Sequence, residues 1–472
     1  MIEFNEIDTK VIFDNFKKIN KVPRPSGNTK MISDFIENFG KELGLETYRD
    51  EIGNVLIKKE ATSGYEDHEV VIMQGHLDMV CIADYDVQFD FDNDPIETYE
   101  ENGFIHAKGT TLGADDGIAV AMMMSILENN ELKHPKLEML FTVDEETGMF
   151  GAIDFDCSHL EGKTFINVDS EDEGIITVSC AGGVRMFAQF DIEKIPNENK
   201  TYEIEFCNLL GGHSGCEIHK GRANAIKELA KFLERYDYQL CEISGGSREN
   251  AIPSEARATI IIEDYDQYLK NAEEYTLEFN ENYKGKDNDL TIITTKKQVD
   301  ECFTKESSDN IISLINDSPY GVVDKNEELD LVVTSLNVGV LKTNGNKVEL
   351  DYSLRSSIDE DKEKLLCKVA EVIDNHHGTY ERSGDYSGWE YRENSRLRDV
   401  ASSTFEKLYS EKAKVEAIHA GLECGIFAGK INDLDAISIG PNLKDVHTPN
   451  EVLDIESAKR TYVYVLNVLE NL

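Results

Sequence analysis

Three apolar segments of this chain run directly into histidine or acidic residues, and this arrangement constrains the fold more than any other feature. The segments are VVIMQGHLD (70–78), LEMLFTVDEE (137–146) and TFINVD (164–169). A continuous apolar run is typical of a strand that is buried on both faces of a sheet. Helical patterns alternate with these segments, so we expect a layered α/β/α domain. In such sheets ligands bind at the carboxyl ends of the strands, where these polar residues would gather.

A helical pattern with an apolar middle lies between the first two segments. It covers DDGIAVAMMMSILENNE (115–131), of which IAVAMMMSIL (118–127) is almost wholly apolar. A helix that is apolar on all sides along such a stretch is a buried helix. We therefore interpret its three consecutive methionines as core residues and not as ligands of a cofactor.

The pattern changes after residue 183. Residues 184–389 contain strands and helices in the order β-α-β-β-α, and a similar order follows from LTIITTKK (290–297). This predicts a duplicated α+β (ferredoxin-like) unit. The α/β pattern returns at residue 390. We therefore predict a catalytic domain formed by residues 1–183 and 390–472, into which residues 184–389 are inserted as a lid domain.

The charge excludes several classes of partner. The chain has 92 acidic and 48 basic residues, which gives a formal net charge of −44. Nucleic acids and anionic membrane surfaces repel such a chain, so we predict neither as a partner. No segment approaches the roughly 20 apolar residues of a membrane span, and the first residues lack the apolar core of a signal peptide. We expect a cytoplasmic protein.

The cysteines point to the same compartment. There are nine of them, an odd number, and no two have CxxC spacing. A cysteine-ligated zinc site and a secreted disulfide framework are therefore both disfavoured. We expect reduced, mostly buried thiols.

Five short clusters carry the residues that are suited to metal chemistry. They contain His76 with Asp78, Asp115 with Asp116, Asp144 to Glu146, Asp169, and His447. On a strand, His76 and Asp78 point to the same side, and a metal-bound histidine commonly donates its other ring N–H to a carboxylate. Each cluster alone has a simpler interpretation, because an HxD pair is common and aspartate is a favoured helix N-cap.

Taken together, the clusters predict a centre with two metals. His76, Asp115, Glu146, Asp169 and His447 supply two nitrogens and three carboxylates, of which one could bridge. Such mixed ligands suit two divalent ions, zinc first and manganese or cobalt as alternatives. Two metals about 3.5–4 Å apart activate a water and polarise a carbonyl. Glu145, beside a ligand, then fits a general base.

Eight motifs occur in an order that resembles a known family over nearly the whole chain. They are GHLDMV, GTTLGADDG, DEETGMFGA, NVDSEDEG, GGHSG, NAIP, HAGLECG and VHTPNE. They resemble the aminoacyl-histidine dipeptidases (peptidase D, Xaa-His dipeptidases), which belong to the co-catalytic zinc peptidases together with carnosinases, aminotripeptidases and aminoacylases. The resemblance implies the five ligands above with Asp115 bridging, Asp78 as partner of His76, Glu145 as general base, and a cis peptide between Asp115 and Asp116.

The resemblance also implies roles for residues outside the metal centre. His213 would stabilise the oxyanion, with a core histidine as the alternative interpretation. Arg355 would bind the terminal carboxylate of the substrate, with a charge on a strand surface as the alternative. Asn250 would contribute to substrate binding. His419 and Glu423 would lie where the substrate termini bind, and Glu423 would pair with the free amino group.

The predicted function is hydrolysis of aminoacyl-histidine and related dipeptides with free termini. An aminotripeptidase or a broad-specificity dipeptidase remains an alternative, because Asp116 stands where some family members have Asn and the aminotripeptidases have Asp. An inactive metal-binding protein is a further alternative, and the presence of Glu145 disfavours it. A two-metal phosphatase or nuclease lacks support, because no basic phosphate clamp is present. The expected partners are small peptides, and a homodimer is left open.

Overall fold

The chain divides into two compact units. In the computed structural model, residues 7–327 and 331–472 are described. Unit 1 comprises the described residues up to Cys180, together with Trp389–Ala417 and Leu422–Leu472, and unit 2 comprises Ala181–Gly388 and Ile418–Gly421. The predicted boundaries at 183/184 and 389/390 lie within a few residues of these. The short segment 418–421, which we predicted in the catalytic domain, instead belongs to unit 2.

The first part of unit 1 begins with two helices and continues with alternating strands and helices. In chain order its elements are α1 (Lys10–Ile19), α2 (Lys30–Glu42), β1 (Glu46–Arg49), β2 (Val55–Lys59), β3 (Val71–His76), β4 (Thr98–Glu101), β5 (Phe104–Ala107), α3 (Ala114–Glu128), β6 (Leu137–Thr142), α4 (Phe150–Asp154), β7 (Thr164–Asn167) and β8 (Ile175–Cys180).

Unit 2 contains long strands and four helices longer than ten residues. In chain order its elements are β9 (Gly182–Asp191), β10 (Lys194–Pro196), β11 (Thr201–Cys207), β12 (Gly212–His213), α5 (Ala225–Arg235), β13 (Leu240–Gly245), β14 (Ala251–Ile252), β15 (Ala256–Ile261), α6 (Tyr265–Asn282), β16 (Thr291–Lys296), β17 (Glu301–Phe303), α7 (Lys305–Asp317), β18 (Gly321–Asn326), β19 (Leu331–Asn344), β20 (Lys347–Ser356), α8 (Asp359–Asn375) and β21 (Thr379–Tyr386).

The last part of the chain completes unit 1. Its elements are α9 (Arg396–Tyr409), β22 (Lys414–Ile418), α10 (Glu423–Lys430), β23 (Asp435–Ser438), β24 (Leu443–Lys444), β25 (Val452–Asp454) and α11 (Ile455–Asn471). No helix in the described ranges is both long and apolar enough to cross a membrane.

The central strands of unit 1 are parallel, as the apolar runs predict. The sheet has the strand order β1-β2-β6-β3-β7-β23-β8-β22. Strand β3 pairs in parallel with both β6 and β7. The carboxyl ends of these three strands therefore lie at one edge, and they bring His76 to the segments that follow Thr142 and Asn167. The helix α3 packs on β3, and Met122, Met123 and Met124 are fully buried, as core residues should be.

Unit 2 shows the predicted duplication in the order of its strands. The main sheet runs β16-β11-β15-β13-β19-β20-β9-β21. Each half contributes four strands: β11, β13, β15 and β16 in the first half, and β9, β19, β20 and β21 in the second. When the strands of each half are numbered 1 to 4 in chain order, their order from the outer edge of the sheet inwards is 4-1-3-2 in both halves. The halves join through β13 and β19. The predicted start of the second copy is wrong. LTIITTKK forms β16, the last strand of the first half, because β9 supplies the first strand of the second half.

The expectation of reduced thiols is wrong for one pair. Cys241 and Cys302, which are 61 residues apart, form a disulfide in unit 2. Cys241 lies in β13 and Cys302 in β17, two strands that pack together. A pair created by tertiary packing leaves no spacing motif in the sequence, so no local pattern predicts it.

Candidate metal centre and active site

The five predicted ligands come together in unit 1. His76 ends β3, Asp115 lies in the first turn of α3, and His447 lies between β24 and β25. Glu146 and Asp169 follow β6 and β7. The donor atoms lie close together: His76 Nε2 is 3.1 Å from Asp115 Oδ1 and 3.7 Å from Asp169 Oδ1, and His447 Nε2 is 3.1 Å from Asp115 Oδ2 and 3.0 Å from Glu146 Oε1.

Asp115 lies between the two predicted histidine ligands. Its Oδ1 faces His76 and its Oδ2 faces His447. One carboxylate oxygen is therefore available to each of two neighbouring groups of donors. Asp115 and Asp116 have non-helical backbone angles, so the regular helix begins after them, and the Asp115 carboxylate contacts the two histidines instead of capping that helix.

The spacing of the donor atoms fits metal ions of the zinc type. Bonds of about 2.0–2.1 Å in a tetrahedral shell place neighbouring ligand atoms roughly 3.3 Å apart. The observed separations range from 3.0 to 3.7 Å. Asp115, Glu146 and His447 also form one group of possible ligands whose donor atoms all lie within 4.8 Å of one another. The residues of this centre therefore fit two divalent cations.

The pKa shifts at the predicted centre indicate an excess of negative charge. Burial and the nearby Asp116 carboxylate raise the pKa of Asp169 well above its ordinary value. Hydrogen bonding to Asp115 and Glu146 raises the pKa of His447 to about 10. The two shifts have different main causes, burial for Asp169 and hydrogen bonds to carboxylates for His447, and neighbouring carboxylates contribute to both. A bound cation would supply the missing charge.

Asp78 contacts both His76 and the loop after β6 that carries Asp144, Glu145 and Glu146, which we call the acidic loop. The ring Nδ1 of His76 lies 3.1 Å from the main-chain oxygen of Asp78 and 3.5 Å from its carboxylate, so the closer contact is to the carbonyl and not to the predicted carboxylate. The carboxylate instead accepts the backbone N–H groups of Glu145 (3.1 Å) and Glu146 (3.3 Å) and the hydroxyl of Ser26 (2.8 Å). Asp78 thus contacts one predicted ligand, His76, and holds the loop that carries another, Glu146.

Asp116 adjoins the centre. The Asp115–Asp116 peptide bond is cis, as the resemblance implies. Asp116 is 2% exposed, and its Oδ2 accepts the backbone N–H of His76 at 3.1 Å. Asp116 also forms a possible ligand group with His76 and Asp169, so the geometry alone leaves it close enough to take part.

Glu145 is partly buried beside two of the predicted ligands. Its carboxylate belongs to a group with His76 and Glu146 whose donor atoms lie within 4.8 Å of one another. Burial, together with the charges of Glu423 and Glu146, raises the pKa of Glu145 to about 8. A carboxyl group with a raised pKa is suited to taking up and releasing a proton near neutral pH.

The centre opens to solvent on the side of His447. The side chain of His447 is 47% exposed, whereas Asp115 and Glu146 are 13% and 8% exposed. Its backbone has a φ of 61°, in the left-handed region that non-glycine residues seldom adopt. Such backbone positions cluster at functional sites.

In unit 2, His213 has a fixed hydrogen-bonding pattern. Its Nδ1 accepts the backbone N–H groups of Gly215 (3.2 Å) and Cys216 (3.1 Å). In the neutral ring the proton must therefore reside on Nε2, which becomes a donor. Asn250 holds the same loop, because its main-chain oxygen accepts the N–H of Ser214 at 2.9 Å.

Arg355 lies near His213 and His419 in the same unit. Burial, and after it the positive charge of Arg355, lower the pKa of both histidines, that of His419 to about 3. Arg355 donates from Nη1 to the hydroxyl of Tyr386 at 3.1 Å. Nε2 of His419 lies 2.7 Å from the hydroxyl of Ser335. This contact joins His419 to β19.

Glu423 lies in the interior of unit 1. It is fully buried, and its Oε2 accepts hydrogen bonds from Thr142 (2.8 Å) and from Gln74. Its Oε1 has no hydrogen-bond partner among the described residues. Burial raises the pKa of Glu423 to about 7. The structure therefore places this predicted amino-group partner against β3 and β6, away from solvent.

Sequence reasoning missed three residues that support this chemistry. Arg24 and Glu451 hydrogen-bond the loops that carry the ligands, and Tyr386 contacts Arg355. Glu451 ends the VHTPNE motif, so its place in that motif was an available signal. Arg24 and Tyr386 lie outside the quoted motifs, and only the fold brings them to their partners.

Comparisons with known proteins agree with this geometry. The chain is 36% identical to the cytosol non-specific dipeptidase of Escherichia coli (strain K12), with 100% of this chain and 99% of that protein covered. It matches the crystal structure of the aminoacylhistidine dipeptidase from Vibrio alginolyticus with a TM-score of 0.93 and 35% identity, over 100% of this chain and 98% of that one.

More distant structures share the fold. The aminopeptidase PepT from Bacillus cereus matches with a TM-score of 0.62 and 18% identity over 98% of both chains. The model of peptidase family M20/M25/M40 matches residues 72–471, a range that includes all five predicted ligands. These matches confirm the resemblance drawn from the motifs and the prediction of a hydrolase, and the chain belongs to peptidase family M20/M25/M40.

Proposed function

We propose that this protein is a two-metal dipeptidase that hydrolyses dipeptides with free termini, aminoacyl-histidine dipeptides among them. The observation that carries the proposal is the position of Asp115 between His76 and His447, with 3.1 Å on each side. A carboxylate placed in this way suits two adjacent cations, with zinc first and manganese or cobalt as alternatives.

Each proposed role rests on a contact. Bound divalent ions would activate a water and polarise the peptide carbonyl. Glu145, with its raised pKa, would take a proton from that water and deliver it to the leaving amine. Asp78 would keep His76 and the acidic loop in place. Asp115, Glu146 and Asp169 would complete the ligand set with the two histidines.

We assign substrate recognition to unit 2. His213 offers an Nε2–H donor, which suits a developing oxyanion. Arg355 offers a guanidinium, which suits the terminal carboxylate of a peptide. Asn250 would support the loop of His213. For His419 and Glu423 we propose structural roles in or beside the substrate site, because both are engaged in hydrogen bonds within their own units.

A dipeptidase is favoured over an aminotripeptidase. The two relatives aligned over the whole chain at 35–36% identity are named dipeptidases, one non-specific and one for aminoacylhistidine. The Bacillus Peptidase T sequences are 22–23% identical over about half of this chain. The name of the Escherichia coli relative also supports a cytosolic location, which we propose for this protein.

The test is a hydrolysis screen with metal-reconstituted protein. We expect cleavage of β-alanyl-histidine and of aminoacyl dipeptides with free termini. N-acetylated and C-amidated versions of the same dipeptides serve as matched controls and should remain intact. Faster cleavage of tripeptides than of dipeptides would favour the aminotripeptidase. Cleavage of denatured proteins would contradict the proposal.

A further inference from the structure

Glu451 is a buried carboxylate that touches the loop of the proposed bridging ligand. It lies four residues after His447 and is 3% exposed. Its two oxygens accept the N–H groups of four consecutive residues that enter α3. The distances are 2.8 Å from Leu112 and 2.9 Å from Gly113 to Oε2, and 2.7 Å from Ala114 and 3.3 Å from Asp115 to Oε1.

Arg24 contacts the same loop through a main-chain carbonyl oxygen, whereas Glu451 contacts its N–H groups. Its guanidinium is 2% exposed and donates to the main-chain oxygens of Leu77 and Asp78, each at 3.2 Å, and of Gly113. One side chain therefore joins the end of the loop after β3 to the loop before Asp115. Added Cβ atoms at Gly113 and Gly117 would lie within 2.6 Å of the guanidinium, which shows how closely this side chain is enclosed.

We infer that Glu451 and Arg24 are positioning residues, which set the backbone before Asp115 so that its two carboxylate oxygens face both proposed metals. The inference rests on the two-metal centre of the proposed function, and it assigns the placement of the bridging ligand to two residues that bind no metal themselves. Glu451 and His447 lie in the same loop, residues 445–451. The hydrogen bonds of Glu451 therefore also connect the backbone before Asp115 to the loop of His447.

The physical reason is the narrow tolerance of a bridging carboxylate. Both of its oxygens must lie about 2 Å from separate ions, so a small rotation of the backbone moves one oxygen away. Residues that orient metal ligands without touching the metal typically change metal affinity about 10- to 100-fold when they are replaced. Four N–H groups that converge on one buried side chain fix this backbone more firmly than a single hydrogen bond would.

The sharpest variant is Glu451→Gln. It keeps the shape but replaces one acceptor oxygen by an NH₂ group, which would face two backbone N–H donors. We expect the dissociation constant of at least one metal to rise about 10- to 100-fold, measured by competition with a chelator. Added metal should then restore part of the bound fraction.

Glu138→Gln is the matched control. Glu138 is also a fully buried glutamate of unit 1, and it accepts the backbone N–H groups of Glu161 and Gly162 at 3.0–3.1 Å. It lies at the start of β6, roughly 20 Å along the chain direction from the acidic loop. We expect this variant to lower Tm and to leave the metal dissociation constants within twofold of the parent.

Arg24→Lys keeps the inference testable if Glu451→Gln fails to fold. It retains the charge but cannot hold three carbonyls in one plane, so metal affinity should fall here too. Unchanged metal affinity in the folded variants, or an equal loss in Glu138→Gln, would overturn the inference. Metal binding by the parent without dipeptide cleavage would instead contradict the proposed function and leave the positioning roles standing.

Discussion

Oδ2 of Asp115 lies 3.1 Å from Nε2 of His447, although 332 residues separate them in the chain. The contact joins the first turn of α3 to the loop between β24 and β25. It requires the chain to return to unit 1 after the insertion of unit 2, because neither part of unit 1 contains all five predicted ligands. The proposed metal centre therefore depends on the discontinuous fold.

The first prediction concerns this bridge. Asp115→Asn replaces one of the two oxygens by an amide nitrogen, which cannot serve as an anionic ligand. We expect bound metal to fall from about two ions per chain to one or none, as measured by elemental analysis. Asp116→Asn is the control, because one remaining oxygen can still accept the N–H of His76. If Asp116→Asn lost metal and Asp115→Asn kept it, the bridging role would belong to Asp116.

The second prediction concerns Tyr386. Tyr386→Phe removes the hydroxyl that accepts a hydrogen bond from Arg355. The guanidinium then loses one orienting contact, so KM for dipeptides should rise roughly fivefold, with little change in kcat. Tyr352→Phe is the control, since its buried hydroxyl contacts Ser318 on the core side of β20. It should lower stability and leave KM alone. A lower kcat at unchanged KM in Tyr386→Phe would speak against the proposed role of Arg355.

The third prediction concerns His213. His213→Ala removes the proposed Nε2–H donor, and kcat should fall on the order of 10²-fold while metal content stays at the parent level. His219→Ala provides a control at an exposed histidine of the same unit. Loss of metal from His213→Ala, or a parental kcat, would exclude the role of oxyanion donor.

The fourth prediction is a pH dependence of stability. The pKa of His419 is about 3 in the folded protein, against about 6.5 for an unperturbed histidine. Between these values the unfolded chain binds more protons, so stability falls as the pH drops from 6.5 towards 3. In His419→Gln, the free energy of unfolding should change less between pH 6.5 and pH 3, by on the order of a few kcal/mol. His377→Asn, at an exposed histidine, is the control. If the free energy of unfolding of His419→Gln depended on pH as steeply as that of the parent, the prediction would be contradicted.

Much of the metal centre was predictable because strand ends carry a local signal. An apolar run followed by acidic residues marks both a buried strand and the edge where its ligands gather, which placed His76, Glu146 and Asp169. The acidic pair at Asp115 and the late histidine His447 completed the predicted set, and the motifs supported all five. The same reasoning predicted the alternation of strands and helices in the α/β unit and the buried helix with its methionines.

The rest depended on tertiary packing. Nothing local to Glu423 distinguishes a substrate contact from a buried carboxylate held by Gln74 and Thr142. The disulfide of Cys241 and Cys302 joins two strands that meet only in the folded unit. The second copy of the α+β unit was misplaced because its first strand, β9, precedes the whole first copy, so sequence order does not follow the order of the halves.

The most direct test of the account measures metal content and kcat on the same sample of Glu145→Gln. The amide keeps the shape of the side chain but cannot accept a proton. We expect about two divalent ions per chain, as in the parent, and a kcat for dipeptides that is lower by on the order of 10²-fold or more. Glu146→Gln should instead lose metal and recover part of its rate when metal is added. A Glu145→Gln protein with both metals and the parental kcat would contradict the account.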